Sequence, residues 1–285
     1  MIAVTGATGQ LGRLVINALL KKVPASEIIA AVRSPEKASD LAALGVQVRK
    51  ADYSQPTTLQ AAFQGVDKLL LISSSEVGQR IAQHTAVINA AKHAGVKLLA
   101  YTSLLHADKS PLGLGEEHRA TEALLRESGL PVVLLRNGWY TENYAASIAP
   151  ALAHGAFIGA VGDGRIASAT REDYAQAAAE VLTQENQAGK VYELAGDDSY
   201  SLAEFSAEIA RQSGKPVVYK NLSEADFKQA LLSAGLPEVF ASLLADSDAG
   251  AAKGGLFDDS HTLSKLIGRP TTPYAKVIAA TLAAS

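Results

Sequence analysis

Three glycines stand three residues apart close to the amino terminus, in Thr5-Gly6-Ala7-Thr8-Gly9-Gln10-Leu11-Gly12. With no Cβ in the way, an anion can reach the backbone N–H groups of such a turn, and a helix starting there adds the positive end of its dipole. The chemistry this suits is the cradling of a pyrophosphate. Spacing by itself is weak evidence, because 23 glycines in 285 residues make chance triplets common. The context is stronger. Ile2–Thr5 reads as a strand before the turn, and Leu11, Leu14, Val15, Ala18 and Leu19 follow at helical spacing, with a βαβ unit closed by Val32.

A second signal sits where that unit closes. A dinucleotide site that reads a free ribose 2′-hydroxyl usually carries an acid about 20 residues after the glycines. No acid occurs between Ile28 and Ser34; Arg33 does, 21 positions after Gly12. A guanidinium pairs bidentately with phosphate and stacks beside a purine. The missing acid and the present base together predict NADPH, with a solvated loop arginine as the plainer alternative.

Composition removes other chemistries. The chain has no cysteine, hence no disulfide, thiolate nucleophile or zinc–thiolate site, which fits a cytoplasmic protein. Its six histidines (84, 93, 106, 118, 154 and 261) include no close pair at metal-ligand spacing, so no metal is predicted. A net charge of −3 without a block of like charges argues against nucleic acid as a partner. No apolar run approaches the length of a membrane span, and the amino terminus shows no signal peptide.

These residues need a frame. Short apolar runs at Ile2–Thr5, Ile28–Arg33, Val46–Lys50, Lys68–Ile72, Val96–Ser103 and Val132–Arg136 alternate with helical patterns at Leu11–Lys22, Pro35–Leu44, Thr57–Phe63, Val77–Ala94 and Glu116–Ser128. The run Lys68–Ile72 is apolar without alternation, the mark of a strand buried on both faces of a parallel sheet. Right-handed crossovers then leave an α/β, doubly wound parallel sheet. After about Asn137 the rhythm loosens. Helices near Asn143–Ala153, Arg171–Leu182, Leu202–Ser213, Glu224–Ala234 and Glu238–Ala245, strands near Phe157–Ala160, Val191–Leu194 and Val217–Lys220, a small polar tail over Gly250–Asp259 and a last helix within Thr271–Ala284 are expected. The division is a dinucleotide-binding domain, 1–136, and a smaller α+β lobe, 137–285, partly interleaved with the sheet.

The turn from Thr5 to Gly12, Ala51-Asp52-Tyr53, the Leu69–Ser75 run, Leu256-Phe257-Asp258-Asp259 and above all Leu135-Arg136-Asn137-Gly138-Trp139-Tyr140-Thr141-Glu142-Asn143 resemble the NmrA-like atypical short-chain dehydrogenase/reductases, on the branch of bacterial NAD(P)H:quinone oxidoreductases. The resemblance covers the whole chain. It implies an extended Rossmann domain, NADPH in a cleft and hydride transfer to quinones. Carried over residue by residue, it implies that Gly6, Thr8, Gly9, Gln10 and Leu11 cradle pyrophosphate, that Arg33 holds the 2′-phosphate, and that Ser73, Ser74 and Ser75 face ribose and nicotinamide. Asn137, Gly138, Trp139 and Tyr140 would border the nicotinamide, and Tyr140 with Asn143 would orient the acceptor. Plainer readings stay open: the serines as turn residues, Trp139, Tyr140 and Tyr144 as lobe core, Arg136 as structural, His106 and His118 as solvated side chains or proton shuttles.

Ordinary short-chain dehydrogenases use Tyr-x-x-x-Lys as a proton relay, and none of the nine tyrosines here has a lysine four residues later. Where related reductases place a catalytic lysine, this chain has Glu116-Glu117-His118-Arg119. A quinone reconciles an intact cofactor turn with an absent acid, because hydride addition yields a delocalised hydroquinone anion. General acid help, commonly worth about 10²–10⁴-fold, is then dispensable. Two alternatives fit the same residues: an NADP(H)-sensing protein without turnover, and a reductase of carbonyl or unsaturated metabolites using His118 as donor.

Overall fold

The computed structural model describes residues 1–76 and 78–284. It contains nine strands among those residues: β1 (Ile2–Thr5), β2 (Ile28–Val32), β3 (Gln47–Lys50), β4 (Lys68–Leu71), β5 (Leu98–Leu104), β6 (Val132–Asn137), β7 (Ala156–Gly159), β8 (Val191–Leu194) and β9 (Val218–Asn221). Seven form one sheet in the order β3-β2-β1-β4-β5-β6-β8, and β7 pairs with β9 in a second. Ile2 faces Ile28 and Lys68 on either side, in parallel register, and Lys68 faces Leu98 likewise. Every residue of β1, β2 and β5 is buried, as continuous apolar strands require when helices cover both faces. The sheet is the doubly wound one expected.

The chain divides into two compact units. The first comprises residues 1–103, 117–137 and 171–192; the second comprises 104–116, 138–170 and 193–285. Beside the expected cut after residue 136, the chain thus passes between units at four other points, and the second unit is nearly as large as the first rather than clearly smaller. The helix Arg171–Thr183 belongs to the first unit. Its alanines 175, 177, 178 and 179 are buried, which lets it approach the first helix, Gln10–Leu20, closely, and Lys22 Nζ meets Glu180 Oε1 at 2.6 Å. On the other face of the sheet, Leu59 and Phe63 join Val87, Ile88 and Ala91 of the helix Arg80–His93 over Ala3, Ile29, Leu69, Leu71, Leu99 and Tyr101. The predicted start of that helix at Val77 lies outside the described residues.

The second unit packs around aromatic rings. Tyr144, Phe157, Phe205, Tyr200 and Tyr274 are in sequential contact, with the Tyr200 and Tyr274 centroids 4.4 Å apart. Two helical expectations are corrected here. The single helix over 143–153 is two, Thr141–Ala145 and Ile148–His154; Pro150 has no N–H to return to Ala146 and its ring opposes that carbonyl, so the helix restarts. The helix after Glu238 runs on to Ala252 instead of ending at Ala245. Its polar residues have partners: Asp246 Oδ2 accepts from Gly113 N at 2.7 Å, and Asp248 Oδ2 from Ala160 N at 2.9 Å. Among the described residues no helix is long and apolar enough to cross a membrane.

Candidate functional site

The glycine turn joins β1 to the first helix. Gly6 has φ +58°, a left-handed conformation, and its carbonyl accepts from Gly9 N at 2.9 Å. Gly12 is required by contact: a Cβ there would lie 2.3 Å from Gly6 O and 2.7 Å from Ala7 Cα. Arg13 N is bonded to Gly9 O at 3.0 Å, which makes it the first amide in the helical ladder. The amides of Gln10, Leu11 and Gly12 therefore precede the ladder. Gly9 offers no capping side chain and the first turn carries no acid, so the helix end is left as a site for an anion. Gly6, Gly9 and Gln10 are exposed and Thr8 half-buried, while Leu11 turns its side chain into the core and has only its backbone to offer. Arg13 holds the turn from behind, with Nε on Thr8 O at 3.3 Å, Nη2 on Lys37 O at 2.8 Å and Nη1 on Asp40.

Arg33 follows β2, with its side chain 70% exposed, and its Nη1 donates to Glu76 Oε1 at 2.9 Å. Glu76 belongs to the loop after β4, the loop that carries Ser73, Ser74 and Ser75. Beyond Leu71 this loop is held by side chains. Ile72 N donates to Thr5 Oγ1 at 3.1 Å, Ser73 N to Thr102 Oγ1 at 2.8 Å, Ser74 N to His84 Nε2 at 3.0 Å and Gly78 N to Glu117 Oε1 at 2.9 Å.

Beneath the loop lies a buried polar network. Since Ser74 N–H is a donor, His84 Nε2 is an acceptor, so the proton of the neutral ring is on Nδ1, 2.9 Å from Thr121 Oγ1. Thr121 in turn donates to Glu117 O at 2.9 Å. Arg80 Nε donates to Ser74 O at 2.5 Å, its Nη1 lies 3.7 Å from Glu117 Oε2 and faces His118 Nε2 at 3.5 Å. His118 Nδ1 meets Tyr101 Oη at 2.7 Å. Burial, then the charge of Arg80, lowers His84 to about 4 and His118 to about 3. His118 is thus not a solvated histidine, and as a buried neutral ring with both nitrogens engaged it is not a ready proton donor. Arg136 is structural, as its place at a strand end suggested: its Nε and Nη2 grip Glu122 Oε1 and Oε2 at 3.0 and 2.8 Å.

Asn137 ends β6 in the first unit. Its side chain is buried, and Oδ1 has no hydrogen-bond partner within the protein. The residues after it belong to the second unit. Gly138 N donates to Leu194 O at 2.8 Å, Trp139 O accepts from Ala169 N at 3.1 Å, and Thr141 N donates to Ala169 O at 3.0 Å, which fixes this stretch in extended form. The Trp139 side chain lies in the hydrophobic core, as does Tyr144. Tyr140 and Asn143 are half-buried, one helical turn apart, with Asn143 N on Tyr140 O at 3.0 Å. His106, a residue with φ +50°, stands in the second unit between Glu193 Oε2 at 3.5 Å and Asp258 Oδ2 at 3.3 Å. Among the described residues no cluster of three or more potential ligands could hold a metal ion.

A Gly-lined turn that a Cβ would fill, a helix start without cap or acid, a guanidinium in place of the acid after β2, and an unmet buried acceptor at Asn137 all fit a dinucleotide carrying a 2′-phosphate. Comparison with known proteins agrees. The NmrA-like family matches over residues 1–266. The chain belongs to the NmrA-like family. Quinone oxidoreductase 2 of Escherichia coli is 65% identical to this NmrA-like chain over 98% of its length and 97% of that protein. The crystal structure of the E. coli NADPH-dependent quinone oxidoreductase complexed with NADPH superposes with a TM-score of 0.97 at 64% identity, covering 99% of this chain and 100% of that one. A triphenylmethane reductase from Citrobacter sp. complexed with NADP(H) has a TM-score of 0.95 at 43% identity, covering 99% and 100%.

Sequence reasoning missed Thr5, Glu76, Arg80, His84, Thr102, Glu117 and Thr121 as parts of the site's scaffold. Only the hydroxyls at strand ends, Thr5 and Thr102, left a local signal. The others converge from separate helices and loops.

Proposed function

We propose that this protein catalyses the reduction of quinones with NADPH, by direct hydride transfer and without metal or flavin. The observation that carries the reading is the uncapped helix start behind Gly6, Gly9 and Gly12 with Arg33 in place of an acid, in a chain so close to the E. coli enzyme. The amides of Gln10, Leu11 and Gly12 hold the pyrophosphate, with Gly6, Thr8 and Gly9 lining the turn beside them. Arg33 takes the 2′-phosphate. Ser73, Ser74 and Ser75 support ribose and nicotinamide, and Asn137, Gly138 and Tyr140 border the nicotinamide, with Trp139 contributing backbone only because its side chain is in the core. When bound, NADPH supplies the hydride.

The acceptor asks mainly for position, flat and within about 3–3.5 Å of the donor carbon. Tyr140 offers a ring face and a hydroxyl, and Asn143 an amide donor for a quinone carbonyl. No strong acid is needed, because hydride addition leaves a hydroquinone anion that delocalises its charge and takes the single proton it still needs from water. A cysteine-free chain and a need for NADPH both suit the cytoplasm, where we place the activity. The test is consumption of NADPH in the presence of a simple benzoquinone, followed by the reduced-nicotinamide absorbance. Turnover well above the uncatalysed rate is expected. Tight NADPH binding without such turnover would refute catalysis and favour a sensor.

A further inference from the structure

Arg33 and Glu76 stand at the ends of strands that flank β1. The sheet order places β2 on one side of β1 and β4 on the other, and β1 runs directly into the glycine turn. The Arg33–Glu76 ion pair therefore reaches from the end of β2 to the loop after β4, past the carboxyl end of the strand that feeds the anion cradle. Glu76 is not a freely moving side chain. Its Oε1 takes Arg33 Nη1 at 2.9 Å, its Oε2 takes Gln83 Nε2 at 2.7 Å, and its backbone N–H donates to Ser74 Oγ at 3.1 Å. A fixed carboxylate thus occupies the one guanidinium that the cofactor reading assigns to the 2′-phosphate.

We propose that Glu76 is a specificity-setting residue, an internal anion that holds Arg33 until a 2′-phosphate displaces it. This inference rests on the reading of NADPH as cofactor. A phosphate monoester carries about −1.5 to −2 charges at neutral pH and three strong acceptor oxygens, so it outcompetes a single carboxylate for the guanidinium. A 2′-hydroxyl has no charge with which to do so, and NADH leaves the pair in place. Glu76 consequently weakens the grip on NADPH and hardly affects the grip on NADH. It keeps the affinity for the phosphorylated cofactor below what Arg33 alone would give, which favours release of the oxidised form after each turnover.

Glu76→Gln keeps the size of the side chain and an acceptor for Gln83 while removing the charge. Exposed ion pairs amount to a factor of roughly two to five in an equilibrium. Titration calorimetry of wild type and Glu76→Gln with NADPH and with NADH is the experiment. The Kd for NADPH should fall about three- to fivefold in the variant, and the Kd for NADH should change less than about twofold, so the preference for NADPH rises. An unchanged or weaker NADPH affinity, or equal tightening of both cofactors, overturns the role of Glu76 while leaving the cofactor reading intact. Absence of NADPH binding by the wild type overturns both.

Discussion

His84 offers a perturbation whose size can be worked out. Its Nε2 accepts the Ser74 N–H, Thr121 takes its Nδ1 proton, Tyr101 meets it edge-on and the Arg80 charge acts on it. Burial, and secondarily Arg80, lowers its pKa from 6.5 to about 4. The folded protein keeps the ring neutral where the unfolded chain takes up a proton. Between those two values the unfolded state binds more protons, so stability falls as the pH drops from about 6.5 towards 4 and carries no penalty above 6.5. At about 1.4 kcal/mol per pH unit, the change from pH 7.5 to pH 4.5 is about 2–3 kcal/mol. Asp248 works against this in the same range: burial raises its carboxyl to about 6, so its share of the stability is lost as pH rises. Wild type alone therefore cannot isolate the histidine. His84→Gln can, because glutamine offers an acceptor and a donor but does not titrate. Urea unfolding of both proteins at pH 7.5 and 4.5 should show the wild type losing about 2–3 kcal/mol relative to the variant on acidification. A drift below about 1 kcal/mol, or one of opposite sign, would refute the neutral acceptor assigned to His84.

Four further substitutions probe the site. Gly12→Ala must move backbone, since its Cβ would meet Gly6 O at 2.3 Å; a loss of about 3 kcal/mol in stability together with NADPH binding is expected. Gly6→Ala meets only the Ile72 side chain at 3.8 Å and should cost about 1–2 kcal/mol through its left-handed φ, so denaturation curves should rank the two in that order. Arg33→Gln should raise the KM for NADPH roughly ten- to hundredfold by removing a charge-assisted pair, with kcat nearly unchanged and the KM for NADH little affected. Asn143→Ala should lower kcat/KM for quinone about tenfold, while calorimetry finds NADPH binding within about twofold of wild type, the pattern for loss of one hydrogen bond to the acceptor; an unaltered quinone rate would remove Asn143 from the acceptor site.

What the sequence disclosed and what it withheld divide along a physical line. The anion cradle is contiguous: turn, helix start and the absent cap all lie within Thr5–Gly12, so local pattern sufficed. Strands β1, β2, β4 and β5 were legible for the same reason, being short apolar runs whose burial on both faces leaves no alternation. The helix 171–183 was legible as a helix but not as a member of the first unit, because its alanines encode close approach and not the partner approached. The support for Ser74 was illegible altogether. Arg80, His84, Glu117 and Thr121 come from two helices, and each on its own reads as an ordinary helix-surface residue. Glu76 lies 43 positions from Arg33, and no pattern in either segment announces the other. Residues that touch an anion must sit where the backbone is bare, which sequence shows as glycine. Residues that hold those segments in place need only reach them, and reach is a property of the fold. Errors of sequence reading should therefore concentrate in the second group, where a polar side chain counted as surface is in fact a buried acceptor.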